Sequence, residues 1–124
     1  MSSAQAAGGD TGGLFAAIDA KDGAAFVAYL TEDAVFRFGS APPVQGRDAI
    51  QAAVDGFFST IGGCAHAVDN TLRQGDTLVC EGVVTYTRHD GSKISLPFTD
   101  VFEYENDLIA HYKIYMDIGP LYAD

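Results

Sequence analysis

The hydrophobic pattern divides the chain into a helical first half and a strand-rich second half. Between Leu14 and Leu30, large apolar residues recur every three or four positions, which is typical of helices that bury one face. The pair Asp22-Gly23 interrupts this pattern and predicts a break between two helices. The elements predicted for this half are helices over residues 11–20, 22–30 and 48–60 and a short strand over residues 34–38.

From residue 64 onward the pattern changes to the alternation of apolar and polar residues that is typical of strands. Turn signals that combine Gly, Asp and Asn separate the apolar segments, so consecutive strands are expected to pair in an antiparallel meander. Helices followed by such a meander predict an α+β domain, with the helices packed on one face of a curved sheet. The predicted strands are residues 64–73, 78–88, 94–104 and 108–118.

One acidic residue interrupts the apolar face of the third of these strands. In the segment ISLPFTDVFEY, residues 94–104, every second residue is apolar or aromatic except Asp100. A carboxylate on a buried face is unfavourable unless it is paired, hydrogen-bonded or protonated, and apolar surroundings should raise its pKa. Either neighbouring backbone or a lysine satisfies Asp100, or the face opens into a pocket in which Asp100 is the reactive group. The pattern favours the second interpretation.

The expected strand register places further polar residues on the same face. A two-residue turn at residues 90–91 puts Glu81 opposite Asp100. A second such turn at residues 75–76 puts Asn70 opposite Glu81. A shift of one residue would move a whole row to the other face. The polar residues predicted on the buried face are His66, Asn70, Glu81 and Asp100.

Three of these residues are predicted to be catalytic: Asp100, Glu81 and His66. Two carboxylates close together cannot easily ionise at once, so one would act as acid and the other as base. His66 is interpreted as a base, an electrophile or a hydrogen-bond donor to a bound ligand, with a structural role at a strand edge as the alternative. A histidine with two carboxylates also suits a metal, but the spacing does not indicate one, and we expect neither a metal nor a cofactor. The predicted substrate-binding residues are Phe15, Ile18, Phe57, Asn70, Phe98, Phe102, Tyr112, Ile114 and Met116.

The outer face of the sheet is predicted to mediate self-association. Val84, Tyr86, Val101 and Tyr115 are expected there, and exposed apolar residues favour a homodimer packed sheet to sheet. Asp117 is expected on the same side of the last strand, either capping the terminal turn or taking part in a subunit contact.

Composition and charge narrow the classes of function. The chain has 124 residues, 48% of them hydrophobic and 19% charged, which is typical of one globular domain, here residues 13–124. A net charge of −10 argues against nucleic acid and anionic membranes as partners, because both would be repelled. Residues 1–12 have no signal-peptide pattern and are expected to be a disordered lead-in. Cys64 and Cys80 are expected to be free thiols, which predicts a cytoplasmic location.

Three segments carry a resemblance to a known superfamily: GRDAI at residues 46–50, DGSKISLPFTDVFEYENDLI at 90–109 and IYMDIGPLYA at 114–123. The chain resembles the nuclear transport factor 2-like superfamily, and within it the SnoaL-like and ketosteroid isomerase-like proteins. The resemblance implies a cone-shaped α+β fold, in which a curved mixed or antiparallel sheet wraps around N-terminal helices and an apolar pocket. It also implies dimers through the outer face of the sheet.

The resemblance has consequences for individual residues. In ketosteroid isomerases, a protonated acid on the strand that reads here FTDVFEY donates to a developing enolate oxygen, and Asp100 matches its position. Their general base would fall at residues 36–38, which read FRF and contain no acid. The catalytic Asp on the last strand of SnoaL-type cyclases and limonene epoxide hydrolases matches Ile114. No complete active-site set of the superfamily is therefore carried over.

Three functions remain open from the sequence. The first is an enzyme that performs acid–base chemistry on an apolar carbonyl compound, such as a polyketide, steroid or terpenoid, with Asp100 stabilising an enolate. The second is a non-catalytic protein that binds an apolar small molecule in the same pocket. The third is a protein-interaction module that uses the outer face of the sheet.

Overall fold

The computed structural model describes residues 11–123, and within them the chain forms six strands and four short helices. The curved sheet is open, which confirms the predicted α+β class. The elements are α1 (Thr11–Asp19), α2 (Gly23–Val27), β1 (Leu30–Phe38), β2 (Val44–Gln45), α3 (Arg47–Phe58), β3 (Gly63–Gln74), β4 (Thr77–Thr87), β5 (Lys93–Glu105), β6 (Leu108–Tyr115) and α4 (Gly119–Tyr122). Most of the predicted lead-in, residues 1–10, lies outside the described residues, whereas Thr11 and Gly12 belong to α1.

The predicted break between the first two helices is present, and side chains stabilise it. The carboxylate of Asp22 caps α2 by accepting a hydrogen bond from the backbone N–H of Ala25 at 3.0 Å. The second helix is shorter than predicted, because the chain turns into β1 at Leu30, which pairs with Ile109 of β6. Within residues 11–123, no helix is long and apolar enough to cross a membrane.

The sheet has the strand order β2-β1-β6-β5-β4-β3. The four strands from β3 to β6 form the predicted antiparallel meander. Strand β1 is longer than predicted and pairs in parallel with β6, a contact between distant parts of the chain. The two-residue strand β2, which the sequence pattern did not predict, pairs with β1. The N-terminal helices pack on the inner face, where the apolar rows of the strands form one core with them.

The register of β4 against β5 differs from the prediction by one residue. Cys80, not Glu81, lies opposite Asp100. The turn between the strands has three residues instead of two, because the N–H of Arg88 donates to the carbonyl oxygen of Ser92 at 2.7 Å. Gly91 lies within this turn at a φ of 90°, a conformation that glycine adopts easily. The extra residue reverses which row of β4 faces the core.

Three predictions are wrong because of this shift. Glu81 is exposed on the outer face and does not approach Asp100. Val84 and Tyr86, expected outside, are 0% and 3% exposed on the inner face. Asn70 pairs with Glu81 as predicted, but on the outer face, where its Nδ2 donates to Glu81 Oε1 at 2.7 Å. Neither Asn70 nor Glu81 therefore belongs to a buried polar row.

A β-bulge in β3 explains why His66 faces inward although Asn70 faces outward. The pairing with β4 shifts by one residue between Val68 and Asn70, and His66 comes to lie opposite Val84. The bulge brings the backbone of β3 against Gly82, where an added Cβ would lie 1.9 Å from the carbonyl oxygen of Ala67. Glycine at position 82 is therefore needed for this close approach.

Candidate functional site

An inner cavity of about 50 Å³ lies between the N-terminal helices and the inner face of the sheet. Its wall is mostly apolar, and Asp100 and His66 are its ionisable residues apart from cysteine and tyrosine. Helices α1–α3 contribute one side and strands β1 and β3–β6 the other. The lining residues are Ile18, Phe26, Phe36, Phe38, Val54, Phe57, Phe58, Cys64, His66, Tyr86, Phe98, Asp100, Tyr112, Ile114 and Met116.

Most of the residues predicted to bind substrate reach this inner cavity, and their binding role stays a prediction. Phe15 and Phe102 do not line the cavity but pack behind its wall. The Phe15 ring lies 4.9 Å from the ring of His66, and that of Phe102 lies 4.6 Å from the ring of Tyr112. The predicted residues that line the cavity are Ile18, Phe57, Phe98, Tyr112, Ile114 and Met116.

Asp100 is the buried carboxyl group of the inner cavity. It is 2% exposed, lies between Cys80 and Ile114 of the neighbouring strands, and its Oδ1 has no hydrogen-bond partner. Burial raises the pKa of Asp100 to about 8, because no water solvates the charged form. Lys113 does not compensate this carboxyl, since its Nζ donates to Glu103 on the outer face at 3.1 Å. At pH 7 Asp100 is therefore predominantly a neutral acid that can donate a hydrogen bond into the cavity.

Two tyrosines share this wall and remain protonated. Burial raises the pKa of Tyr112 well above its ordinary value, and the nearby Asp100 carboxyl acts in the same direction. Burial likewise raises the pKa of Tyr86, whose hydroxyl donates to the Met116 sulfur at 3.8 Å. Both residues supply apolar surface with a neutral hydroxyl. Tyr86 was expected on the outer face, so its position in the cavity wall is a further consequence of the register shift.

His66 forms a dyad with Asp19, a residue that the sequence pattern did not single out. The Nδ1 of His66 donates to Asp19 Oδ1 at 2.6 Å, and the backbone N–H of His66 donates to Asp19 Oδ2 at 3.0 Å. The rings of Phe15 and Phe98 hold the imidazole at centroid distances of 4.9 and 5.2 Å. A neutral imidazole that donates from Nδ1 keeps Nε2 as an acceptor. The dyad therefore provides an oriented proton acceptor in the cavity wall.

Cys64 lies beside this dyad, two residues before His66 on the same face of β3. Its Sγ is 3.5 Å from the carbonyl oxygen of Ile18 and 3.7 Å from Asp19 Oδ1. Burial and the adjacent Asp19 carboxylate raise the pKa of the Cys64 thiol to about 12, so it is not a nucleophile at neutral pH. Cys64 and Cys80 are both free, as predicted.

An outer groove of about 450 Å³ adjoins the inner cavity. Asp117 is on its wall, and its Oδ1 accepts a hydrogen bond from the N–H of Gly119 at 3.0 Å, which confirms its predicted role as a cap of the terminal turn. The groove and the inner cavity share one set of apolar side chains, which therefore form the boundary between them. These shared residues are Phe36, Phe38, Val54, Phe57 and Met116.

Most of the chain matches one protein family in sequence. Residues 12–112 match the SnoaL-like domain family. The chain belongs to the SnoaL-like family. The resemblance inferred from the sequence is thereby confirmed. No curated protein is similar to the SnoaL-like chain in sequence.

Solved structures share the fold of the SnoaL-like chain at low sequence identity. A nuclear transport factor 2-like protein of unknown function from Burkholderia pseudomallei is 19% identical with a TM-score of 0.81, and 90% of each chain is covered. TerC, co-crystallised with polyporic acid, is 16% identical with a TM-score of 0.78, covering 90% of this chain and 91% of TerC. A candidate SnoaL-like polyketide cyclase from Jannaschia is 16% identical with a TM-score of 0.76, covering 87% and 83%. These similarities establish the fold of this chain.

Proposed function

We propose that this SnoaL-like protein catalyses proton transfer next to a carbonyl group of an apolar small molecule. Asp100 carries this proposal, because it is a buried carboxyl in an apolar cavity and its Oδ1 has no hydrogen-bond partner. A neutral acid in such a place can donate to a carbonyl oxygen. Its hydrogen bond becomes stronger as that oxygen gains charge in the transition state.

The second catalytic group of the proposal is His66. The position at which ketosteroid isomerases carry a general base has no acid here, and the predicted substitute Glu81 lies on the outer face. The Asp19–His66 dyad supplies an acceptor on the same cavity wall. Asp19 orients the imidazole and stabilises the imidazolium that forms when His66 accepts a proton. Asp100 and His66 thus have the complementary roles of acid and base.

The sizes of the two adjoining spaces support one class of substrate. The inner cavity of about 50 Å³ accepts little more than a carbonyl group and its neighbouring carbons, whereas the outer groove of about 450 Å³ accepts rings. The boundary consists of apolar and aromatic residues such as Phe38 and Phe57. A bicyclic or larger ketone, or a polyketide of similar width, would place its carbonyl group in the inner cavity and its rings in the outer groove. The co-crystal of TerC with polyporic acid supports a small organic ligand for this fold.

A hydrogen–deuterium exchange assay tests the proposal without knowledge of the natural substrate. The bicyclic ketone 2-tetralone is incubated in D₂O with the protein, and proton NMR follows the loss of hydrogen next to the carbonyl. We expect the protein to accelerate exchange above the buffer rate. Asp100→Leu should reduce the acceleration by about 10²–10³-fold, as the loss of an oxyanion donor does, and His66→Gln by about 10²–10⁴-fold.

Exposed positions provide matched controls for these variants. Asp107→Asn in the β5–β6 turn and His111→Gln on the outer face should exchange at the wild-type rate. Equal rates for Asp100→Leu and the wild type would contradict the proposal. Exchange at the buffer rate in the wild-type protein would contradict it as well.

A non-catalytic ligand-binding protein is the alternative function. The observation that favours it is Ile114 at the position of the last-strand acid of SnoaL-type cyclases. A protein that binds 2-naphthol, a phenol resembling an enol, without accelerating exchange of 2-tetralone would support this alternative.

We also propose a homodimer that packs through the outer face of the sheet. Leu72 and Tyr115 on that face are 67% and 55% exposed, and the half-buried Val83 and Val101 belong to the same face. Such apolar surface on a sheet face is typical of an interface between subunits. For the location we propose the cytoplasm, which the two free thiols support.

A further inference from the structure

We propose that Asp19, Cys64 and His66 form a binding site for a divalent cation that prefers sulfur and nitrogen ligands, such as Zn²⁺. One donor atom of each residue lies within 4.8 Å of the other two, and all three side chains are half-buried. Thiolate, imidazole and carboxylate together form a donor set typical of zinc. The sequence spacing did not indicate this site, because Asp19 belongs to α1 and the other two residues to β3.

The end of α1 and the start of β3 bring the three metal-binding side chains together. Cys64 and His66 are alternate residues of β3, so both side chains project from the same face towards the inner cavity. Asp19 closes the site from the end of α1, with its Oδ1 3.7 Å from Cys64 Sγ and 2.6 Å from His66 Nδ1. The first distance suits two ligands of one zinc ion. The distance between Asp19 Oδ1 and His66 Nδ1 must lengthen by roughly 0.7 Å. In a tetrahedral site with Zn–N and Zn–O bonds of about 2.0 Å, the two ligand atoms lie further apart than they do here.

The electrostatic surroundings favour a cation at this point. The C-terminal end of α1 directs its carbonyl groups here, and that of Ile18 is 3.5 Å from Cys64 Sγ. The Asp19 carboxylate and a Cys64 thiolate would together neutralise the charge of a divalent ion. The nearby cation Lys21 is held by the segment that follows α3, where its Nζ donates to the carbonyl oxygen of Ile61 at 2.9 Å.

Metal binding exchanges protons for the cation. The Cys64 thiol loses its proton to solvent as the metal–sulfur bond forms, and the Nδ1 proton of a neutral His66 is replaced by the metal while Nε2 gains a proton from solvent. One proton is released in total. With three protein ligands, a tetrahedral zinc would keep a fourth position for water or a ligand, and two of its ligands, Cys64 and His66, line the inner cavity. Since Nε2 then carries a proton, a metal-loaded site would have no basic nitrogen for the proposed catalysis.

Cobalt spectroscopy tests the site independently of any activity. Co²⁺ is titrated into the purified, metal-free full chain, and absorbance follows the near-ultraviolet thiolate-to-cobalt band and the strong visible bands of tetrahedral cobalt. We expect both bands at one equivalent and their loss when Zn²⁺ is added. Cys64→Ser should abolish the thiolate band, and Asp19→Asn should weaken Zn²⁺ binding by more than about tenfold in calorimetry.

Two control variants make the outcome specific. Cys80→Ser removes the other thiol, which is fully buried outside the cluster, and Asp107→Asn removes an exposed carboxylate. Both should bind Co²⁺ like the wild type. The site is refuted if no thiolate band forms, if the band persists in Cys64→Ser, or if Asp19→Asn binds Zn²⁺ as tightly as the wild type. Asp19→Asn keeps the test valid if Cys64→Ser does not fold.

Discussion

Replacing Asp100 by Asn should change the pH dependence of stability in a direction that follows from its burial. The pKa of Asp100 is raised from 3.8 to about 8, so the native state holds a proton that the unfolded state releases. Below pH 3.8 the Asp100 carboxyl therefore does not lower the free energy of unfolding. Above that pH it lowers this free energy, and the cost increases with pH until about pH 8. At about 1.4 kcal/mol per pH unit, the cost is about 4 kcal/mol at pH 7.

Asn has nearly the same size but does not titrate, so Asp100→Asn removes this cost. The new amide has no acceptor provided for it, and one buried unsatisfied polar group costs about 1–3 kcal/mol. We therefore expect Asp100→Asn to raise the free energy of unfolding by about 2 kcal/mol at pH 7 and to change it little at pH 5. The difference between the effects at the two pH values should be about 3 kcal/mol, because the amide contributes equally at both.

Urea unfolding at pH 5 and pH 7, followed by circular dichroism, measures these free energies for the wild type and Asp100→Asn. Asp107→Asn, at an exposed turn position, serves as the control and should give the same difference from the wild type at both pH values. If Asp100→Asn has the same effect at pH 5 and pH 7, the pKa of Asp100 is not raised. If it destabilises the protein by more than about 2 kcal/mol at pH 7, Asp100 is an ionised structural partner and the reasoning fails.

Two further predictions concern the packing of the sheet. Gly82→Ala should destabilise the protein by more than about 3 kcal/mol, since its Cβ would lie 1.9 Å from the carbonyl oxygen of Ala67. The control is Gly63→Ala, whose Cβ has no neighbour closer than 3.8 Å and which should change stability by less than about 1 kcal/mol. Equal effects of Gly82→Ala and Gly63→Ala would contradict the role of the bulge. Light scattering at micromolar concentration should give about twice the 13.1 kDa of the chain, and Leu72→Lys should shift the particle towards the monomer. A wild-type particle of 13.1 kDa would contradict the proposed homodimer.

The sequence predicts those parts of the fold and site that depend on local patterns. Alternation within β5 identified Asp100, because an acid in a row of apolar residues stands out whatever the neighbouring strands do. The antiparallel meander was predicted from the turn signals between its strands. The position of Glu81 depended on the length of one turn, and a single additional residue moved it to the outer face.

Long-range contacts account for the features that the sequence did not reveal. Asp19 and His66 are separated by 47 residues, and no pattern near Asp19 distinguishes it from an ordinary polar residue at the end of a helix. The parallel pairing of β1 with β6 is equally non-local. The bulge near Asp69 decides that His66 faces inward while Asn70 faces outward. Its local signal is Gly82 on the partner strand, which is recognisable only once the strands are paired.

The protonation state of Asp100 tests the central claim most directly. Carbon-13 NMR of aspartate-labelled protein, with the Asp100 signal assigned by its loss in Asp100→Asn, follows the carboxyl shift from pH 3 to pH 10. We predict one transition with a midpoint near 8, as expected for a carboxyl desolvated in the wall of the inner cavity. A midpoint near 4 or below would show that Asp100 is an ordinary carboxylate at neutral pH, and it would contradict its proposed role as the acid of this site.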